Sequence, residues 1–195
     1  MNVVSAASGL EDDLCLAGER VVLRPLQESD AEAMFAYARD PEVTRFLPWD
    51  PAPDLDSVRP FLADQVARRR RGESLALAIV LRENGEMVGS TDLMCLPGGR
   101  RSGWLFRHAE LGYLMARPYW GRGLMTEATR LTVAHGFGPL RLSRIVSHAD
   151  AENHGSRRVL EKIGMRPRGS ETRDVKGETR LYLRYELKPR DCEGK

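Results

Sequence analysis

The sequence predicts an α+β protein, and three features of it carry that expectation. Stretches with strand-like composition and stretches with helical spacing both occur, without the strict alternation of a parallel α/β fold. Six segments read as strands and four as helices, separated by glycine, proline and Asn-Gly turns with no linker and no internal repeat. The chain has 195 residues, 42% hydrophobic and 30% charged, which suits one domain with a full core.

Residues 1–17 are small and acidic, lack sustained periodicity, and are expected to form a flexible tail before a single domain over 18–190. Residues 20–26 (RVVLRPL) are β-rich and end beside a proline, a first strand. Ser29 stands three residues before Glu32, a capping-box pattern for a helix that runs through Ala38 and is stopped by Pro41. In residues 46–53 (FLPWDPAP) prolines recur too closely for regular structure. That segment is either aromatic packing or one wall of a substrate cleft. Asp56 or Ser57 caps a second helix, which ends in the four arginines 68–71 and at Gly72. Cations there meet the negative end of the helix dipole and are expected to stay solvated.

Residues 75–81 (LALAIVL) form an unbroken apolar run, Asn84-Gly85 supplies a hairpin turn, and residues 86–93 return as a strand. A loop at 98–101 (GGRR) precedes another strand at 109–115. A glycine-containing loop then opens a helix from Leu124 to about Gly136. Residues 145–149 make a short strand, and 154–163 a helix that Gly164 terminates. Residues 179–187 alternate with period two, a half-exposed last strand.

Lysine and arginine total 30 against 28 acidic residues, a net charge of +2, which argues against a nucleic-acid partner but leaves room for a local basic pocket. Cys15, Cys95 and Cys192 are an odd, scattered set without metal-ligand or disulfide spacing, pointing to a reducing, cytoplasmic setting. Glu11, Asp12 and Asp13 lie where a signal peptide would be apolar, and no apolar run approaches the roughly 18 residues of a membrane span. No membrane partner is expected. His108, His135, His148 and His154 lack paired ligands at useful spacing, so no metal is expected.

Chemistry concentrates in residues 117–128 (RPYWGRGLMTEA). A strand, a short loop with Gly121 and Gly123, and an immediate helix bring several backbone N–H groups and the positive end of the dipole to one hollow, a phosphate cradle. Arg117 and Arg122 add charge to it. Thr126 stands where a dinucleotide fingerprint needs its third glycine, and no Gly-Lys-Ser/Thr follows, so neither nucleotide-loop type fits.

Further along, residues 149–165 read ADAENHGSRRVLEKIGM. The Gly-x-Gly loop followed by Asn-x-x-Ser-x-x-Val-Leu-Glu-Lys-Ile-Gly resembles the GNAT superfamily of N-acetyltransferases, and more narrowly the branch of the ribosomal-protein alanine acetyltransferases RimJ and RimL. The likeness spans about residues 19–188, including RVVLRPLQESDAEAMFAYARDPEV and LALAIVLRENGEMVGSTDL.

The resemblance implies a mixed, mostly antiparallel sheet of about six or seven strands flanked by about four helices, with one strand pair splayed at the cofactor site. It implies acetyl-CoA as co-substrate, with main-chain groups of Tyr113, Leu114 and Met115 pairing with the pantetheine arm. The pyrophosphate would rest on Arg117, Trp120, Gly121, Arg122, Gly123 and Leu124, with Asn153 and Ser156 touching the cofactor from the later helix. The implied partners are an amine acceptor, either a protein N-terminal α-amine or a small molecule such as an amino acid, polyamine or antibiotic, and a second copy of the chain, since relatives often dimerise.

Amine attack on a thioester needs a base for the ammonium proton, N–H donors for the developing oxyanion and an acid for the thiolate. The thioester is already activated, so direct attack in a ternary complex is expected without a covalent enzyme intermediate. Glu110, on the strand that leads to the cofactor loop, is the candidate base, with an ion pair to Arg107 as its structural alternative and His108 as a rival. Ser156 is the candidate acid and Tyr113 an alternative donor. Asn153 and Ser156 also suit helix capping. Asp40, Glu42, Asp50, Asp54 and Asp56 either attract a cationic acceptor or form a solvated loop. A CoA-binding sensor without activity would retain the same loop motifs.

Overall fold

The computed structural model describes residues 10–94 and 108–191. The expected positions Cys95, Cys192, Arg107 and the 98–101 loop lie outside the described residues. Among those described, the strands are β1 (Leu16–Ala17), β2 (Val21–Pro25), β3 (Leu75–Leu81), β4 (Met87–Met94), β5 (His108–Met115), β6 (Arg144–Asp150), β7 (Arg166–Val175) and β8 (Glu178–Leu187). The helices are α1 (Ala31–Ala38), α2 (Pro41–Thr44), α3 (Arg59–Arg70), α4 (Leu124–Phe137) and α5 (His154–Lys162).

The strands form one sheet in the order β1-β2-β3-β4-β5-β6-β8-β7. Every neighbouring pair is antiparallel except β5 and β6, which run parallel. The fold class is the expected one, but the sheet has eight strands where six or seven were expected. Neither extra strand carries an alternating apolar pattern. β7 is exposed along most of its length, pairs only with β8, and breaks register between Pro167 and Ser170, as a polar edge strand does.

β1 corrects the expected tail, because Leu16 and Ala17 pair with Leu23 and Val22, and Leu10, Leu14 and Leu16 pack against the main core. Arg69 holds the same segment through an ion pair with Asp12 and donates to the Leu26 carbonyl at 3.2 Å. One of the four arginines is therefore buried rather than solvated.

Two apolar cores sandwich the sheet. On one side β2, β3 and β5 meet α4 and α5 through residues such as Leu23, Leu77, Leu111, Ala128 and Leu160. On the other, α1 and α3 cover it through Met34, Tyr37 and Leu62. β3 is apolar throughout because it is buried on both faces.

The caps differ from those expected. Ser29 lies in a short 3-10 turn, Glu28–Asp30, and Asp30 accepts from the Gln27 N–H at 2.9 Å. Pro41 ends α1 but also opens α2, where its missing N–H costs nothing, after Asp40 accepts from the Glu42 N–H at 2.9 Å. Neither Asp56 nor Ser57 caps α3; its cap is Val58, with Pro60 in its first turn. No helix among the described residues is long and apolar enough to cross a membrane.

Candidate active site

The pairing of β5 with β6 stops at Glu110 and Val146, whereas β5 runs on to Met115. Beyond that point β6 stays on β8 and the two strands part. The Ser147 hydroxyl donates to the Leu111 carbonyl at 2.8 Å, closing the last paired step. A cleft of about 610 Å³ opens past the divergence, lined by Tyr113, Leu114 and Met115 from β5. Its other walls are the 119–126 loop and helix start, residues 152–162, and the segment 42–46.

The loop is built by its glycines. Gly121 and Gly123 have φ of 76° and 78°, a left-handed conformation that side-chain-bearing residues resist, and Gly123 caps α4. The first N–H groups of α4 thus open on the cleft beside Leu124, Met125 and Thr126. The Trp120 indole donates to the Met115 carbonyl at 2.7 Å and ties the loop to the end of β5. Two residues not singled out from sequence brace the loop from behind. Arg20 donates to the Arg122 carbonyl at 2.8 Å and pairs with Glu127 at 2.9 Å, while Glu127 also accepts from the Arg20 N–H at 2.7 Å. Burial works against the Glu127 charge, but these donors outweigh it and hold the carboxyl below its ordinary range.

At the start of α5, Asn153 accepts from the Ser156 N–H at 3.0 Å and acts as the helix cap. Its amide edge still faces the cleft it lines. The Ser156 hydroxyl lies 2.9 Å from the Tyr113 hydroxyl, so the two candidate proton donors are one hydrogen-bonded pair. Burial, partly offset by that bond, raises the Tyr113 phenol well above its ordinary range and keeps it protonated.

Tyr113, Leu114, Met115, Trp120, Gly121, Gly123, Leu124, Asn153 and Ser156 thus meet in one cleft. Arg117, Arg122 and Glu110 are not among its lining residues. Arg117 pairs with Asp40 at 3.2 Å, and the Arg122 guanidinium stacks over Tyr119 at 5.3 Å. Glu110 turns to the face covered by α1 and α3, where its Oε1 lies 2.8 Å from His148 Nδ1. His148 Nε2 is in turn 3.9 Å from Glu171 of β7. No sequence signal announces this contact, because it depends on the parallel register of β5 and β6 across 38 positions.

Of the proline-rich segment, Phe46 lines the cleft and Trp49 is exposed. Phe46 is fixed from behind: Tyr182 donates to its carbonyl at 3.2 Å, Arg180 lies 5.9 Å over its ring, and Lys176 donates to the Thr44 carbonyl at 3.2 Å. Of the acidic group, Glu42 lines the cleft. Asp50 pairs with Lys176 at 3.4 Å, Asp56 pairs with Arg59 at 3.3 Å, and Asp54 accepts from the Ser57 N–H at 2.8 Å.

A splayed parallel strand pair facing a glycine loop at a helix N-terminus is the arrangement that the sequence resemblance implies for an acetyltransferase. Comparison with known proteins agrees. Residues 20–166 match the model of the acetyltransferase (GNAT) domain. The uncharacterized N-acetyltransferase p20 of Bacillus licheniformis is 28% identical over 77% of this chain and 82% of its own length. Spermidine N(1)-acetyltransferase of Escherichia coli is 26% identical over 76% of this chain and 74% of its own. Among solved structures, Mycobacterium smegmatis RimJ in complex with CoA-disulfide superposes with a TM-score of 0.75 at 28% identity, over 91% of this chain and 85% of that one. The chain belongs to the GNAT acetyltransferase family, in its RimJ-like branch. It is an acetyl-CoA-dependent N-acetyltransferase.

Proposed function

We propose that the protein, acting through one catalytic unit over residues 18–190, acetylates the α-amine of a polypeptide N-terminus by direct attack within a ternary complex. The observation that carries direct attack is the placement of acid and base groups on either side of β5. Tyr113 and Ser156 meet on the cofactor side, and carboxylates with a histidine lie on the opposite face. A base and an acid so separated serve a nucleophile entering from one side and a thiolate leaving on the other. Acetyl-CoA supplies the activated acyl group.

The chain's own groups divide the remaining work. Main-chain groups of Tyr113, Leu114 and Met115, left without a ladder partner on the β6 side, pair with the pantetheine arm as an added strand would. The N–H groups of the Gly121–Leu124 turn hold the pyrophosphate, with Arg117, Trp120 and Arg122 at its rim. Asn153 uses its free amide edge on the arm. Ser156 protonates the thiolate, and Tyr113, hydrogen-bonded to it, holds the hydroxyl in place.

The peptide acceptor is supported by the RimJ likeness and by a cleft that continues from β5 to Phe46 and Glu42 at the surface. A second reading, a small cationic amine, is favoured by the negative charge on the acceptor face, where Glu110 and Glu171 flank His148. The test is amine-dependent release of free thiol from acetyl-CoA with a panel of peptides, amino acids, polyamines and aminoglycosides. Release with N-terminally free peptides and not with their N-blocked forms supports the peptide reading. Release only with polyamines replaces it with the second reading, and binding of acetyl-CoA without release to any amine supports a non-catalytic sensor.

A further inference from the structure

Asp92 of β4 and Gly112 of β5 face each other across the ladder. A Cβ on Gly112 would lie 2.3 Å from Asp92 Oδ1, so the carboxyl group occupies the space where a side chain at 112 would be. It therefore rests on the β5 backbone itself. Alternation puts Glu110, Gly112 and Leu114 on the same face of β5, with Glu110 on one side of that space and Leu114 on the other. Leu114 lines the cleft, and Asp92 and Glu110 both lie behind that lining. Asp92, opposite Gly112, lies nearer along β5 than Glu110 to Tyr113, which meets Ser156.

Resting on the acetyl-transfer reading above, we propose that Asp92 is the catalytic base and that Glu110, held by His148, is a positioning charge beside it. The acceptor ammonium gives one proton to Asp92, and the freed lone pair forms the N–C bond to the acetyl carbon. The electron pair of the C–S bond leaves with sulfur, which takes the Ser156 proton. The second proton lost by nitrogen restores that hydroxyl, and Asp92 releases its own to solvent.

The surroundings of Asp92 suit the task. Glu110 faces it from β5 and Arg68 from α3, while β3 places the apolar Ala76 opposite. From α1, Tyr37 turns its buried phenol toward neighbouring Ser90 and stays neutral, because burial raises it above its ordinary range. Burial first, and then the Glu110 charge, push the Asp92 carboxyl up to about 7, against the opposing pull of the Gly112 backbone hydrogen bond and of Arg68. Asp92 as a residue is half-buried rather than fully enclosed. A base that titrates near neutrality combines the right charge state with sufficient basicity.

The experiment is the pH profile of kcat/KM for the wild type, Asp92→Asn and Glu110→Gln, with acetyl-CoA and the best amine of the panel. For the wild type we expect activity to rise with pH through about 7. Asp92→Asn should bind acetyl-CoA with unchanged affinity, which also reports its folding. It should lose about 100-fold or more in kcat, together with the rise near neutrality. Glu110→Gln should keep at least about a tenth of kcat and move the rise to lower pH, because Asp92 ionises more readily without a negative neighbour. Formate should restore part of the rate to Asp92→Ala. Retention of kcat and of the rise in Asp92→Asn, or the larger loss in Glu110→Gln, overturns the assignment while wild-type turnover leaves the acetyl-transfer reading intact. Absence of wild-type turnover overturns both.

Discussion

Along the edge that parts from β6, strand β5 offers backbone. On the face turned toward α1 and α3, the same strand and its neighbours offer side chains. The cofactor edge comes from one short stretch of chain between Tyr113 and Leu124, where a strand ends and a helix begins, and Tyr113, Leu114, Met115, Gly121, Gly123 and Leu124 of it line the cleft. The acceptor face takes Asp92 from β4, Glu110 from β5, His148 from β6 and Glu171 from β7. In the proposed binding mode, local chain geometry suffices to bind the cofactor. The chemistry of the acceptor rests on register between distant strands, and so can be retuned one side chain at a time without disturbing the cofactor site.

Each prediction breaks one side while sparing the other. The largest effect is expected from removing both donors of the cofactor side. Tyr113→Phe with Ser156→Ala should lower kcat by about 100- to 1000-fold, each single change by about tenfold, with the double effect departing from the product because the hydroxyls are in contact. Steady-state kinetics at saturating acetyl-CoA reads this out. Next, Gly123→Val forces a branched residue to a φ of 78°, at a cost of about 1–2 kcal/mol. Isothermal titration should show acetyl-CoA affinity falling by about tenfold, with the Asp92-dependent pH profile unmoved.

A stability effect of similar size is expected on the other face. The Asp92 carboxyl, ordinarily at 3.8, is raised in the folded state to about 7. Its contribution is therefore fully present below pH 4 and is lost as pH rises through 7. Asp92→Asn should stabilise the protein by about 2 kcal/mol at pH 8 and by little at pH 4, measured by urea unfolding at both. Such a gain in stability at the expense of rate would mark a strained functional group. The smallest effect belongs to the brace behind the loop. Arg20→Ala should raise KM for acetyl-CoA about three- to fivefold and leave kcat within about twofold, since the pair with Glu127 is partly exposed.

The same contrast explains what was legible in the sequence. Gly121, Gly123, Asn153 and Ser156 were recognisable because each performs a local backbone task, a left-handed turn or a helix start, that leaves a short-range pattern. Strand β3 is legible through its apolar run and β8 through its alternation. β7 is not, since an edge strand wet on both faces has no hydrophobic period to betray it, and Leu16–Ala17 is too short for any. His148 leaves no such pattern, because its partner lies on another strand. Asp92 left one faint sign, a lone carboxylate inside MVGSTDLM, a strand otherwise without charge.

In the proposed binding mode the unpaired edge of β5, and not its side chains, holds the cofactor. Hydrogen–deuterium exchange with and without CoA tests it most directly. New protection is expected in peptides spanning Gly112–Met115 and Gly121–Leu124, undiminished in Asp92→Asn, with β7 and β8 unaffected. Protection that appears elsewhere on the sheet, or that disappears in Asp92→Asn, would contradict it.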